Sequence, residues 1–188
     1  MQIDKTAIEG VVVFSPMRYA DDRGWFAETW NSQRMADLGF DLEFVQDNHS
    51  LSIETGTLRG LHYQRPPHAQ DKLVRCTRGA ILDIAVDVRN GSSSYGKWVG
   101  VELTPENGKQ LLVPKGLLHA FVTRAPMTEV QYKCTDVYAK HCDGAVRWDD
   151  PTLAIDWQLT TAPILSAKDA DAPLFSDFIS PFSLEDLS

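Results

Sequence analysis

The sequence predicts a mainly β protein, an antiparallel barrel or sandwich with a few short helices. Two observations predict it. Short segments of alternating apolar and polar residues recur between turn signals, and 188 residues suit one domain with its own core. The clearest segment is 80–89, where Leu82, Ile84, Val86 and Val88 share one face while Asp83, Asp87 and Arg89 share the other. That pattern predicts a strand with one face toward an apolar layer.

Similar patterns predict strands at residues 11–14, 25–30, 43–48, 57–64, 72–78, 98–103, 110–113, 118–123 and 128–135, about ten in all with short connections. Residues 31–39 read as a short helix, because Asn31 can cap its start and Gly39 its end. The runs at 90–94 and 105–108 are turns by composition, too short for an interdomain linker. No tandem repeat of solenoid or propeller period is visible. After Trp157, Pro163, Pro173, Pro181 and several serines predict an extended or partly helical wrap. The expectation is one domain over 1–188, with 158–188 lying across the barrel.

Composition narrows the function. Hydrophobic residues at 43% and charged residues at 23% are ordinary for a globule. A net charge of −8 offers no positive field for a nucleic-acid backbone, so nucleic-acid binding is not expected. The polar N-terminus and the lack of an apolar run near the roughly 20 residues of a membrane span predict a cytoplasmic protein without an anchor. Cys76, Cys134 and Cys142 form no Cys-x-x-Cys pair, which predicts reduced structural thiols.

Two segments belong together: GTLRGLHYQ at 56–64 and GKQLLVPKGLLH at 108–119. They resemble the paired motifs of cupin barrels, in which glycine precedes His-x-His by five residues and Pro-x-Gly-x-x-His follows later. The second match is good; the first is broken, with Gln64 in place of the second histidine and no glutamate at the usual short spacing. Too few donors remain to hold a transition metal tightly. The expectation is a cupin-like jelly roll with an empty metal position and no cofactor.

His62 alone reads as a structural histidine. Its neighbours change that: Arg59, His62, Lys72 and Arg75 span a turn containing Pro66 and Pro67, and residues 59–89 hold six Lys or Arg against three Asp. Such a bias suits an anionic ligand such as a diphosphate, with a solvated basic edge as the competing account. Within 128–135, alternation puts Val130, Tyr132 and Cys134 on one apolar, inward face. A buried tyrosine usually completes a core; serving as an acid requires a substrate held against it.

Taken together, the sequence resembles the dTDP-4-dehydrorhamnose 3,5-epimerases through nearly its whole length. The resemblance rests on DRGWF at 22–26 with Glu28, FVQDNHS at 44–50, LRGLHYQ at 58–64, QDKLVR at 70–75 and VDVR at 86–89. It continues through PKGLLH at 114–119, Tyr132, Lys133, Tyr138, WDDP at 148–151 and LSAKDA at 165–170. Each piece is weak; their order and spacing are specific. The resemblance implies epimerisation of dTDP-4-dehydro-6-deoxy-D-glucose at C3 and C5, the carbons flanking the C4 ketone, on the way to dTDP-L-rhamnose.

By position, the resemblance implies His62 as base with Asp169 orienting it, Tyr132 as proton donor on the opposite face, and Lys72 at the developing enolate oxygen. For substrate binding it implies Arg23, Glu28, Gln46, Asp47, Asn48, Arg59, Lys72, His119, Asp143 and Lys168, with Tyr138 stacking on thymine. Strict alternation separates Arg59 from His62, so both reach one ligand only if Gly60 permits a bulge or Arg59 serves another subunit. The family also implies a homodimer exchanging N-terminal strands, which would carry Arg23 and Glu28 to the neighbouring site. Two positions depart from the family pattern: Asp143 stands where Glu is usual, and Ala120 where glycine follows the histidine. Competing readings are a single-centre epimerase of a related dTDP-keto sugar, a metal-binding cupin isomerase or dioxygenase, and a non-catalytic sugar-binding barrel.

Overall fold

The computed structural model describes residues 1–184; the last four residues of the expected wrap lie outside the described residues. In chain order the strands are β1 (Gln2–Lys5), β2 (Val12–Ser15), β3 (Tyr19–Asp21), β4 (Gly24–Phe26), β5 (Gln46–Ser52), β6 (Leu58–Gln64) and β7 (Lys72–Arg78). They continue with β8 (Ile81–Asp87), β9 (Trp98–Leu103), β10 (Gln110–Val113), β11 (Leu117–Thr123), β12 (Thr128–Cys134) and β13 (Asp143–Ala145). Two short helices, α1 (Ser32–Asp37) and α2 (Ala167–Ala170), complete the set with a 3-10 turn at Phe175–Asp177.

The strands form two antiparallel sheets, β1-β2-β10-β7-β12-β5 and β13-β6-β11-β8-β9, beside a separate β3–β4 hairpin. Val74, Leu111, Val113 and Val130 of the first sheet meet Ile81, Ala85, Leu103, Leu117 and Phe121 of the second in one buried cluster. The barrel is thus the two-sheet, face-to-face jelly roll. Outside the first sheet, α1 and Trp30, Phe40 and Phe44 cover Phe14, Leu73 and Leu112. Outside the second sheet, Trp157, Leu165, Phe175, Phe178 and Phe182 cover Leu82, Ile84, Val86 and Val88.

That last contact identifies the apolar layer read from 80–89. The layer is made of side chains from residues 157–182, so every residue of β8 is buried and Asp83 and Asp87 point between the sheets. Asp87 survives there because Arg89 binds both its oxygens, at 2.9 and 2.8 Å, and the Ser92 and Ser94 hydroxyls each donate to it at 2.6 Å. Burial alone would push its carboxyl up; the hydrogen bonds from Arg89, Ser92 and Ser94 outweigh that and hold it at about 2. The folded value is below the ordinary 3.8, so the stabilisation is complete above that pH and is lost as pH falls through about 2. Asp87→Asn leaves Arg89 buried without its counter-charge and is expected to lower unfolding free energy by about 3 kcal/mol. Urea unfolding at neutral pH measures the loss, and the variant's stability should change less than the native protein's between pH 4 and 2.

Several elements differ from the sequence expectation. The strand expected at 25–30 ends at Phe26, because Trp30 turns to pack on Phe44 with ring centroids 4.7 Å apart. The strand expected at 43–48 runs instead from Gln46 to Ser52, since Phe44 belongs to the α1-side cluster. β1, β3 and β13 carry too little buried apolar surface to announce themselves by alternation. The helix agrees: Asn31 accepts a hydrogen bond from the Arg34 amide at 3.1 Å, and Gly39 takes φ +89° just past its end.

Candidate active site

A cavity of about 390 Å³ opens between the sheets, with Arg59 and His62 from β6, Lys72 from β7, His119 from β11, Tyr132 from β12 and Asp169 from α2 on its wall. A second cavity of about 310 Å³ adjoins it, sharing His62, Lys72 and Tyr132 and adding Gln46, Asn48, Tyr138, Asp143 and Lys168. The two together make a groove with a titratable end and an end carrying an exposed tyrosine.

Arg59 and His62 share this wall because β6 bulges. His62 faces His119 across the strand pair, but Arg59 faces Phe121, so three steps along β6 match two along β11. Gly60 absorbs the extra residue at φ +133°, and a Cβ there would come within 2.2 Å of the Ala120 Cβ. The Ala120 methyl therefore lies against the one residue type that leaves it room. A neighbouring subunit is not needed to bring Arg59 to the groove.

His62 Nε2 meets Asp169 Oδ1 at 2.5 Å, and Ser166 Oγ donates to Asp169 Oδ2 at 2.9 Å. Ser166 also caps α2, accepting from the Asp169 amide at 3.2 Å, so one hydroxyl fixes both the helix turn and the carboxylate it presents. Burial pushes the Asp169 carboxyl up, but the hydrogen bond and charge of His62, with help from Ser166 and Lys168, hold it below the ordinary value. It is an anion across the neutral range, and it orients the imbedded imidazole through a single ring nitrogen.

Tyr132 points inward beside Val130, as the alternation predicts. Burial pushes its phenol up, helped by Cys134 and opposed by Arg59, so it keeps its proton beyond the ordinary tyrosine range. Burial pushes the Lys72 ammonium down, opposed by Cys134, Asp143 and Asp83. No side-chain hydrogen bond or ion pair engages that ammonium among the described residues.

At the other end Lys168 Nζ and Asp143 Oδ2 lie 2.5 Å apart, and the Tyr138 hydroxyl donates to the same oxygen at 3.3 Å. The shorter carboxylate at 143 thus reaches both partners directly. Gln46 Oε1 accepts from the Tyr138 amide at 2.8 Å, tying the tyrosine's loop to β5.

Three expected residues lie away from the groove. Asp47 points to the opposite face of β5 from Gln46 and Asn48 and pairs with Lys133 at 2.9 Å. Arg23 is exposed and pairs with Asp21 at 2.6 Å in the β3–β4 turn; Glu28 pairs with Arg34 at 2.9 Å beside α1. The basic bias of 59–89 also disperses, since Arg89 is spent on Asp87 and Arg75 faces away, donating to Gln131 at 2.7 Å. Gln64, at the cupin ligand position, spends its amide on the backbone carbonyls of His68 and Val137 and the amide of Ala139. Among the described residues no three His, Cys, Asp or Glu side chains are arranged to hold a metal.

Sequence reasoning missed Asp83, whose Oδ1 meets His119 Nε2 at 2.7 Å, and Ser50, whose buried hydroxyl has no partner in the groove wall. The signal for Asp83 was present: a carboxylate at the centre of the most regular strand.

Fold and groove together define an enzyme of the isomerase class, a jelly-roll epimerase. A family model described as dTDP-4-dehydrorhamnose 3,5-epimerase matches residues 5–177. The chain belongs to that family. It is 48% identical over 170 residues to the dTDP-4-dehydrorhamnose 3,5-epimerase of Escherichia coli, covering 90% of this chain and 91% of that one. It is similar to the Bacillus anthracis dTDP-4-dehydrorhamnose 3,5-epimerase solved with TDP and PPi bound, at 44% identity and TM-score 0.90, covering 93% of this chain and 99% of that one. It is also similar to a dTDP-6-deoxy-D-glucose-3,5-epimerase of Legionella pneumophila in complex with dTDP-4-keto-L-rhamnose, at 42% identity and TM-score 0.90, covering 95% and 94%.

Proposed function

We propose that the groove epimerises dTDP-4-dehydro-6-deoxy-D-glucose at C3 and C5, giving dTDP-4-dehydro-L-rhamnose in dTDP-L-rhamnose biosynthesis. The observation that carries this reading is the meeting, in one cavity, of a carboxylate-bound imidazole, a protonated phenol and an unpaired ammonium. Both carbons are acidified by the same ketone, so removal of either proton places charge on the same oxygen. His62 takes the proton, Tyr132 returns one to the other face, and Lys72 neutralises the enolate oxygen. Arg59 holds the diphosphate, and Tyr138 with Gln46 holds the thymine at the far end.

The reaction runs without metal or redox cofactor, in the cytoplasm, and in a homodimer. The dimer is supported by the β3–β4 hairpin, which leaves Trp25 and Phe26 59% and 69% exposed beside Arg23. Exchange of N-terminal strands brings the partner's copies of that hairpin and of Glu28 to the groove.

Proton NMR of the reaction in deuterated water tests the assignment: label should enter at both C3 and C5. Label at one carbon alone would make the chain a single-centre epimerase, and binding without any exchange would make it a sugar-nucleotide carrier. Full activity at negligible metal content separates it from metal cupins. Tyr132→Phe is expected to lower formation of the inverted product about 10²-fold while hydrogen exchange from the His62 side persists. Equal loss of both would remove Tyr132 from the role of opposite-face donor.

A further inference from the structure

β8 turns two carboxylates inward, and the fold treats them differently. Asp87 is wrapped by Arg89, Ser92 and Ser94. Among the described residues Asp83, 0% exposed, has one side-chain hydrogen bond, with His119 Nε2 at 2.7 Å, and its Oδ2 is buried without a partner. A dry, unsatisfied oxygen is destabilising, and Ile81 and Ala85 show what this strand face holds when packing decides. Folding alone gives no reason to keep a carboxylate at 83.

The surroundings give one. β11 places His119 beside Asp83 and opposite His62, so two imidazoles stand on neighbouring strands, each bound through Nε2 to its own carboxylate. The Tyr132 ring of β12 stands 6.5 Å from that of His119, centroid to centroid, and Val101 of β9 sits across the register from Asp83. Nε2 is engaged, Nδ1 has no hydrogen-bond partner among the described residues, and His119 lies on the groove wall.

We propose that Asp83 is a positioning residue for the epimerisation: it holds His119 as the Nε2–H form, with Nδ1 ready to accept a sugar hydroxyl. The inference rests on the proton-transfer reading above. Asp83 then acts only through His119. Burial pushes the Asp83 carboxyl up, opposed by the charge and hydrogen bond of His119 and by the charge of Lys72.

Asp83→Asn keeps the shape and removes the charge. In the full-length protein, hydrogen exchange at saturating substrate should fall about tenfold or more, with dTDP affinity within about threefold, because the Tyr138 end is untouched. His119 should no longer be held as a single Nε2–H tautomer, since an amide does not dictate which imidazole nitrogen carries the proton. Thermal stability should hold or rise, as a buried charge has been removed. A folded variant with native turnover would overturn the inference, as would activity lost only in proportion to folded protein. Should the variant not fold, the long-range proton–nitrogen spectrum of the native protein decides: His119 must be protonated at Nε2 with Nδ1 bare, and an Nδ1–H form overturns it. If the native protein exchanges no solvent hydrogen, the proposed function itself fails. If it exchanges and His62→Ala does not, while Asp83→Asn behaves as native, this inference alone falls.

Discussion

Replacing His62 by alanine is expected to slow solvent-hydrogen exchange at C3 and C5 by about 10³-fold, some 4 kcal/mol in the barrier. The size follows from what is lost. Ser166 and Asp169 fix the imidazole through Nε2, leaving the other nitrogen to meet the sugar, and positioning of this kind accounts for most of a general base's worth. Asp169→Asn should cost about 10²-fold or more even with geometry kept, because an amide can no longer dictate which imidazole nitrogen carries the proton. Asp169 is held below the ordinary carboxylate value, so its contribution is present above that value and is lost as pH falls through its depressed one. Label uptake followed by proton NMR, beside calorimetric titration with dTDP, separates catalysis from binding. Exchange within about tenfold of native in a folded His62→Ala protein would sink the assignment.

The same geometry shows what a sequence can disclose. Alternation at 80–89 disclosed a strand and which residues share a face, but not what lies opposite each face. The polar face of Asp83 and Asp87 turned inward because side chains from residues 157–182 cover the apolar one. Arg59 and His62 looked incompatible until Gly60 took up a bulge, a feature that the spacing allows but does not require. Asp47 was separable in advance: Gln46 and Asn48 alternate around it, and strict periodicity along β5 already puts it on the other side. Asp169 could be placed by family resemblance alone, since its distance of 107 residues from His62 leaves no local trace of their contact. Short polar strands such as β1 and β13 gain their pairing from neighbours, so their own residues carry little periodic signal.

Lys72→Ala should raise the barrier by about 3 kcal/mol, a fall in kcat of about 10²-fold, with KM changed far less. The argument is one of differential charge. In the resting groove the ammonium has no hydrogen bond or ion pair among the described residues, so its full donor capacity is available when negative charge reaches the ketone oxygen. The same burial that makes it effective lowers its hold on its proton, whereas burial raises that of Tyr132. In the proposed reaction Lys72 must be charged, so activity is lost as pH rises through the lowered lysine value. Lys72→Arg, charged at every pH of interest, should recover part of the rate and remove the lysine's share of the alkaline limb. A pH profile of kcat for native, Lys72→Ala and Lys72→Arg proteins reads all three expectations, and native turnover in Lys72→Ala would take the enolate oxygen away from this residue.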